Sequence, residues 1–182
     1  MTPETTPHDF RPLDNNHPRT AFSCGDTALD IYFRTLAGQS GRRRMSVVHV
    51  MSNTVTQDVI AYYTLTNASI DAGLLPDVLV KKNRYRPHDT LGVTLLGRFA
   101  IDLRYSRGKG WGVHMYMDAS YNALLASRIV ASCGILLDTE TGNARAREFW
   151  AGREFVSLGI RNDGKERFFI SMDYIQKLHG NA

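Results

Sequence analysis

The apolar positions of this chain change period several times, and each change marks an element. From Thr27 the segment "ALDIYFRTLAG" carries Leu29, Phe33 and Leu36 at helical spacing, with Asp26 placed as an N-cap and Gly38 near its stop. This predicts a short amphipathic helix. Two β-rich stretches follow, "MSVVHVMS" and "DVIAYYTLTNASI", parted by a polar turn over residues 53–57, and they read as a hairpin. Residues 71–90 hold two prolines, two lysines and two arginines, a composition that predicts a short helix and an exposed basic loop interrupting the sheet. "VTLLGRFAID", residues 93–102, is a further strand. From Gly112 onward Val113, Tyr116, Met117, Ala123 and Leu124 form an i, i+3, i+4 stripe, a helix running to about Ala131. "CGILLD" reads as a short buried strand whose Asp138 is placed to cap the next helix, "TGNARAREFWAG". "EFVSLGI" and "RFFISMD" are two strands joined across the turn "RNDGKE". Residues 1–9 are polar, carry two prolines and read as a loose lead-in, after which "FRPLD" begins the first strand. The order βαββ(α)βαβαββ, free of internal repeats, predicts one mixed sheet threaded with helices, an α/β or α+β fold.

Composition narrows this picture in three ways. A chain of 182 residues with 43% hydrophobic content buries one sizeable core, so residues 1–182 are expected to form one domain. No apolar run has the length of a membrane span, and "MTPETTPHDFRP" lacks the charged and apolar regions of a signal peptide, so a cytoplasmic protein is expected. Cys24 and Cys133 lie far apart without metal-ligand spacing and read as small core residues. A net charge of +4 is mild, compatible with a polyanionic partner but also common without one.

The chemistry concentrates in "RYSRGKGWGVHMY", residues 104–116, where three cations and three glycines lie between a strand and a helix. A strand that ends in a glycine-rich turn and opens a helix aims free backbone N–H groups and the positive helix end at one point. An anion belongs there. The spacing is neither the Walker pattern nor a first-strand GxGxxG; Arg107, Gly110 and Gly112 instead supply Arg-x-x-Gly-x-Gly. The plainer alternative is a surface turn whose glycines only satisfy positive φ. Two basic stretches, Arg42, Arg43 and Arg44, and Lys81, Lys82, Arg84 and Arg86 with Tyr85 as a stacking ring, are candidates for nucleic-acid contact. Their plainer alternative is a solvated face. His49, among apolar neighbours, reads as a core or cleft-lining residue, and His114 as solvent-exposed.

Four stretches together resemble the GNAT acetyltransferases, in particular the GNAT toxins of bacterial type II toxin-antitoxin systems. They are "FSCGDTALDIYFRTLAGQ", "IAYYTLTNASI", "LLGRFAIDLRYSRGKGWG" and "DTETGNARAREFWAGREF". The resemblance implies a GNAT fold, a central mixed sheet flanked by helices with the glycine-rich loop between the central strand and the next helix. It also implies acetyl-CoA as donor. Phe99, Ala100 and Ile101 would pair with the pantetheine arm, and Arg107, Gly108, Lys109, Gly110, Trp111 and Gly112 would hold the pyrophosphate. The acceptor implied is the amino group of an aminoacyl-tRNA, with a ribbon-helix-helix antitoxin as partner and a homodimer as a further option. A GNAT acting on a small amine or protein lysine, and a CoA-binding module without strong activity, stand as alternatives. In the closing segment the family places a tyrosine, thought to protonate the departing thiolate, where this chain has Trp150. Indole gives up no proton in the accessible pH range, so slow transfer is implied, or an acid from elsewhere, such as Tyr121 or Tyr174. The family also tends to have glycine where this chain has Glu154, which predicts a different turn.

Overall fold

A computed structural model describes residue 3, residues 5–106 and residues 110–180. Seven strands, β1 (His8–Pro12), β2 (Val47–Asn53), β3 (Val59–Asp71), β4 (Thr90–Ile101), β5 (Gly134–Glu140), β6 (Val156–Ile160) and β7 (Lys165–Ser171), form one mixed sheet in the order β1-β2-β3-β4-β5-β7-β6. The chain groups into two compact units: the first takes the chain up to Thr66 together with Leu96–Ser120, the second Asn67–Leu95 together with the chain from Tyr121 on.

In the first unit β1 (His8–Pro12) pairs antiparallel with β2 (Val47–Asn53), so the sheet begins before Phe10 and takes up part of the expected lead-in. β2 in turn pairs antiparallel with β3 (Val59–Asp71), the predicted hairpin. Strand alternation sends Val48, Val50 and Tyr62 into a core with Phe22, Phe33, Ala37 and Ala100. Phe33 and Tyr62, both wholly buried, stack at 4.3 Å, and full burial of each such ring stabilises the fold by about 1.5–3 kcal/mol. The Asp26 carboxylate accepts from the N–H groups of Ala28 and Leu29, as a cap should, and starts α1 (Thr27–Ile31). The helix does not stop near Gly38. It widens into a π-helical segment, Tyr32–Leu36, and continues as α2 (Ala37–Arg42). Gly38 serves close approach instead, since a Cβ there would lie 3.3 Å from a guanidinium nitrogen of Arg19.

In the second unit a 3₁₀ turn (Ala72–Leu74) and α3 (Asp77–Asn83) form the expected interruption before β4 (Thr90–Ile101). β4 runs parallel to β5 (Gly134–Glu140), with Thr94 opposite Ile135 and Leu95 opposite Leu136. β5 pairs antiparallel with β7 (Lys165–Ser171), which carries β6 (Val156–Ile160) on its other side. Gly134 is needed where β5 meets β7, because a Cβ would fall 2.3 Å from the Ile170 carbonyl oxygen. α5 (Ala144–Ala151) is capped by Asn143, whose side chain accepts from the Ala146 N–H at 3.0 Å. Asp138 is therefore not the cap. It is held by Arg167 and Arg161, which outweigh the opposing effect of burial and keep its carboxyl below the ordinary carboxylate range. A helix the sequence pattern did not reveal, α6 (Met172–Leu178), is capped by Ser171.

α4 (Trp111–Ser127) begins in the first unit and ends in the second, short of Ala131. Among the described residues no helix is long and apolar enough to cross a membrane.

Candidate cofactor and nucleic-acid site

β4 continues past its two-pair ladder with β5 to Ile101, and Ala100 buries its methyl group in the first unit's core. The chain is pinned as it leaves the strand. Asp102, 2% exposed, accepts from the N–H of Ser23 at 3.2 Å and of Arg104 at 2.9 Å, and from Arg104 Nε at 2.9 Å. The Asp102 and Asp58 carboxylates raise the Arg104 pKa further, so that side chain stays charged. Arg107, Gly108 and Lys109 lie outside the described residues.

Gly110 sits at φ +75°, the left-handed region that L side chains adopt only under strain. Its carbonyl accepts from the N–H groups of Val113 (2.9 Å) and His114 (3.2 Å), which makes it the first acceptor of α4 and leaves the N–H groups of Trp111 and Gly112 without an intrahelical partner. This geometry suits a negatively charged group at the helix start. Trp111 itself is 1% exposed, edge-on to His8 at 5.1 Å and to Tyr105 at 5.8 Å, with its indole Nε1 buried and unpartnered among the described residues. It anchors the helix start rather than lining an open loop. His114 is half-buried, not exposed, with its ring 5.4 Å from His8. A strand running on past its ladder, a positive-φ glycine and a helix N-terminus opened by that glycine together fit an extended, pyrophosphate-bearing ligand such as acetyl-CoA.

The two basic stretches differ. Arg42, Arg43 and Arg44 are all exposed at the end of α2, and among the described residues none forms an ion pair. Arg19, which sequence reasoning passed over because it stands alone, joins them: a Cβ on Gly38 would meet its guanidinium at 3.3 Å and that of Arg42 at 3.5 Å. In the second unit Lys81, Lys82, Arg84 and Arg86 are exposed too, but Lys82 binds Asp173 at 2.7 Å and Arg86 binds Asp89 at 3.1 Å. Tyr85 packs against the apolar cluster around Leu136 and Phe169, and burial pushes its hydroxyl pKa up; the ring is committed to the fold.

Trp150 is 4% exposed and boxed edge-on by Phe149 at 4.8 Å and Phe155 at 5.1 Å. It packs the junction of α5 and β6. Glu154 in that junction has φ +63°, so the turn keeps a glycine-like backbone despite the change of residue. Tyr121, with its ring 5.4 Å from His179, and Tyr174 are both partly exposed in the second unit. His49 lies on the face of β2 opposite Val48 and Val50, stacked on Tyr63 at 4.9 Å; burial depresses its pKa, with Asp118 opposing. Burial pushes Cys24 up to about 12 and Cys133 up to about 11, so neither supplies a thiolate nucleophile.

No protein-family model matches the chain. It is 30% identical over 131 residues to the probable toxin TacT of Sinorhizobium fredii (strain NBRC 101917 / NGR234), a match covering 71% of this chain and 70% of that one. AtaT complexed with acetyl-methionyl-tRNAfMet superimposes with a TM-score of 0.81 at 25% identity, over 95% of this chain and 99% of that one. AtaTR bound with AcCoA superimposes at 0.77 with 23% identity, over 96% and 99%. With the strand end, the glycine-started helix and the TacT relationship in agreement, the chain belongs to the GNAT toxins of toxin-antitoxin systems.

Proposed function

We propose that this chain transfers an acetyl group from acetyl-CoA to the α-amino group of an aminoacyl-tRNA, blocking peptide bonding and so arresting translation. The observation that carries this reading is the relationship to the toxin TacT across most of both chains. The structures of AtaT with acetyl-methionyl-tRNAfMet and of AtaTR with AcCoA support the acceptor and the donor in turn. The AtaT–AtaR complex bound to DNA supports a restraining antitoxin, which we assign to the ribbon-helix-helix kind. A homodimer belongs to the same proposal, and the exposed Ile31, Leu36, Met45 and Val47 give the first unit an apolar surface of the sort protein partners cover.

Acetyl-CoA supplies an acetyl thioester, an acyl donor that an amine attacks directly. The chain's own part is binding and orientation. Gly110 and the first amides of α4 receive the anionic group, a role to which Arg107, Gly108 and Lys109 also belong; the backbone of Phe99, Ala100 and Ile101 offers donors and acceptors to an extended arm. Arg42, Arg43, Arg44 and Arg19 are positioned to neutralise RNA phosphates. At the acid position Trp150 can donate a hydrogen bond but no proton, which points to slow transfer.

Incubation with labelled acetyl-CoA and either charged tRNA, uncharged tRNA or a panel of amines tests this. Label is expected on the charged tRNA, and Gly110→Val is expected to abolish tight acetyl-CoA binding. Label on amines or protein lysines alone would replace the reading with the small-amine alternative.

A further inference from the structure

β4 carries an arginine whose charge no carboxylate answers among the described residues. Arg98 precedes the stretch Phe99, Ala100, Ile101 and is half-buried, yet among the described residues no carboxylate, carbonyl or hydroxyl accepts from its guanidinium. Arg104, just past the end of the same strand, shows the contrast, since Asp102 and Asp58 both bind it. Desolvating a guanidinium that has five donors and no acceptor is costly unless something from outside takes those donors.

What holds Arg98 is a ring. Its Cζ lies 3.6 Å from the centroid of Tyr32, a cation–π contact that fixes the plane of the fork and leaves its N–H edges available. Tyr32 is itself fixed: 6% exposed, stacked at 6.2 Å on Tyr62, with its hydroxyl 3.3 Å from Ser46 Oγ. It opens the π-helical segment Tyr32–Leu36, a widened turn of a kind that is rare and frequent at functional sites. Ser46 lies between Arg44 and the start of β2, so the Arg98–Tyr32 pair is joined through one hydrogen bond to the segment that follows the arginine run. One unit thus combines exposed arginines, a planar, immobilised guanidinium and the proposed acyl-binding strand.

We propose that Arg98, held flat on Tyr32, grips a phosphodiester near the 3′ end of the charged tRNA and so positions the amino group at β4. This rests on the acceptor reading given above. A planar fork with both edges available matches phosphate bidentately, which a lysine cannot do. The pyrophosphate of acetyl-CoA shares this chemistry, and the test separates the two sources.

Arg98→Gln and Arg98→Lys in the full chain are compared with the unchanged protein at saturating acetyl-CoA. Arg98→Gln is expected to raise KM for charged tRNA roughly 10- to 100-fold, the range for losing a charge-assisted hydrogen bond. It should also reduce the salt slope of tRNA binding by about 0.7, the value for one single-strand phosphate, without changing acetyl-CoA affinity in calorimetry. Arg98→Lys should keep the salt slope but not the KM. An unchanged KM and slope in an active Arg98→Gln overturns the proposal while leaving the acceptor reading intact. Loss of acetyl-CoA affinity instead assigns Arg98 to the donor and overturns it as well. Should Arg98→Gln fail to fold, Arg98→Lys decides, and an unchanged KM there is fatal. If the unchanged protein labels no charged tRNA, the acceptor reading and this proposal fall together.

Discussion

Two basic stretches that look alike in sequence differ in what answers their charge. Arg42, Arg43 and Arg44 end α2 and meet no carboxylate among the described residues, while in the stretch from Lys81 to Arg86 Lys82 is bound by Asp173 and Arg86 by Asp89. Both stretches gain something from lying at helix C-termini, where cations are favoured by about 0.3–1 kcal/mol. The exposed ion pairs of the second unit add little stability, about 0–1 kcal/mol each. Their consequence is electrostatic: a cation already facing a carboxylate projects less field toward a polyanion. The same contrast recurs between Arg98 and Arg104. Counting cations in a sequence overstates the charge available to a ligand, and only their partners show which ones remain.

If the run Arg42, Arg43 and Arg44 keeps its charge open to a ligand while the stretch from Lys81 to Arg86 has part of its charge answered by carboxylates, substitutions should separate binding from stability. The largest effect is expected on stability in the second unit. Trp150→Ala empties the box formed by Phe149 and Phe155 and should destabilise the protein by about 3–5 kcal/mol, measured by denaturant unfolding. Charged-tRNA affinity of the folded fraction should be unaffected. Trp150→Tyr keeps an aromatic ring there, and a rise in kcat would show that a missing acid limits the rate; the gain is bounded by the ~10² to 10⁴ that general acid catalysis typically supplies.

The next effect concerns the surfaces themselves. Reversal of Arg42, Arg43 and Arg44 to glutamate should weaken charged-tRNA binding by on the order of 100-fold near physiological salt, and lower the salt slope by roughly 2 to 3. The melting temperature should barely move, because these side chains are exposed and meet no carboxylate among the described residues. Reversal of Lys81, Lys82 and Arg84 should cost binding much less and stability slightly more, since glutamate at position 82 would face Asp173. Equal losses of affinity from the two reversals would break the comparison.

How much of this could be read beforehand depended on whether the signal was local. The Asp26 cap, the hairpin, the strand over residues 93–102 and the glycine start of α4 all rest on neighbours within a few positions, and each was legible. The pairing of charges was not. Arg86 and Arg104 each have a carboxylate within three positions, Asp89 and Asp102, but Lys82 and Asp173 are 91 positions apart and Arg104 and Asp58 are 46 apart, so the residues beside a cation do not by themselves say which carboxylates will reach it. Arg98 was visible inside "LLGRFAID" but indistinguishable from Arg104 until the fold supplied Tyr32. Gly38 misled because its lack of a side chain serves the approach of Arg19, not a helix stop. Asp138 misled because two arginines from β7 and its preceding turn compete for it, leaving Asn143 to cap α5. α6 was missed although Ser171 caps it, because its short stripe follows the apolar strand β7 without a break.

The smallest effect asks whether burial in the first unit keeps His49 neutral. His49 stacks on Tyr63 within 5° of parallel, and the Tyr63 hydroxyl donates to Asp118 at 2.5 Å. Burial depresses the His49 pKa, and the Asp118 carboxylate only partly offsets this. The folded protein therefore binds this proton less readily than the unfolded chain, whose histidines titrate near ~6.5. Above that pH both states are neutral and His49 contributes no slope. As pH falls below it the unfolded chain takes the proton first, so stability declines until the lower folded pKa is reached. His179 in the second unit is depressed by burial as well and contributes a slope of the same sign. Asp30, Asp138 and Glu166 are all held below their ordinary values and titrate in a lower range. Between pH 7.5 and 5.5, His49→Phe, which preserves the stacked ring, is expected to lose less unfolding free energy than the unchanged protein, and His179→Phe to show its own separate reduction. If His49→Phe and the unchanged protein lose the same amount in urea titrations at the two pH values, His49 is protonated as readily in the fold as out of it, and its burial beside Tyr63 does not keep it neutral.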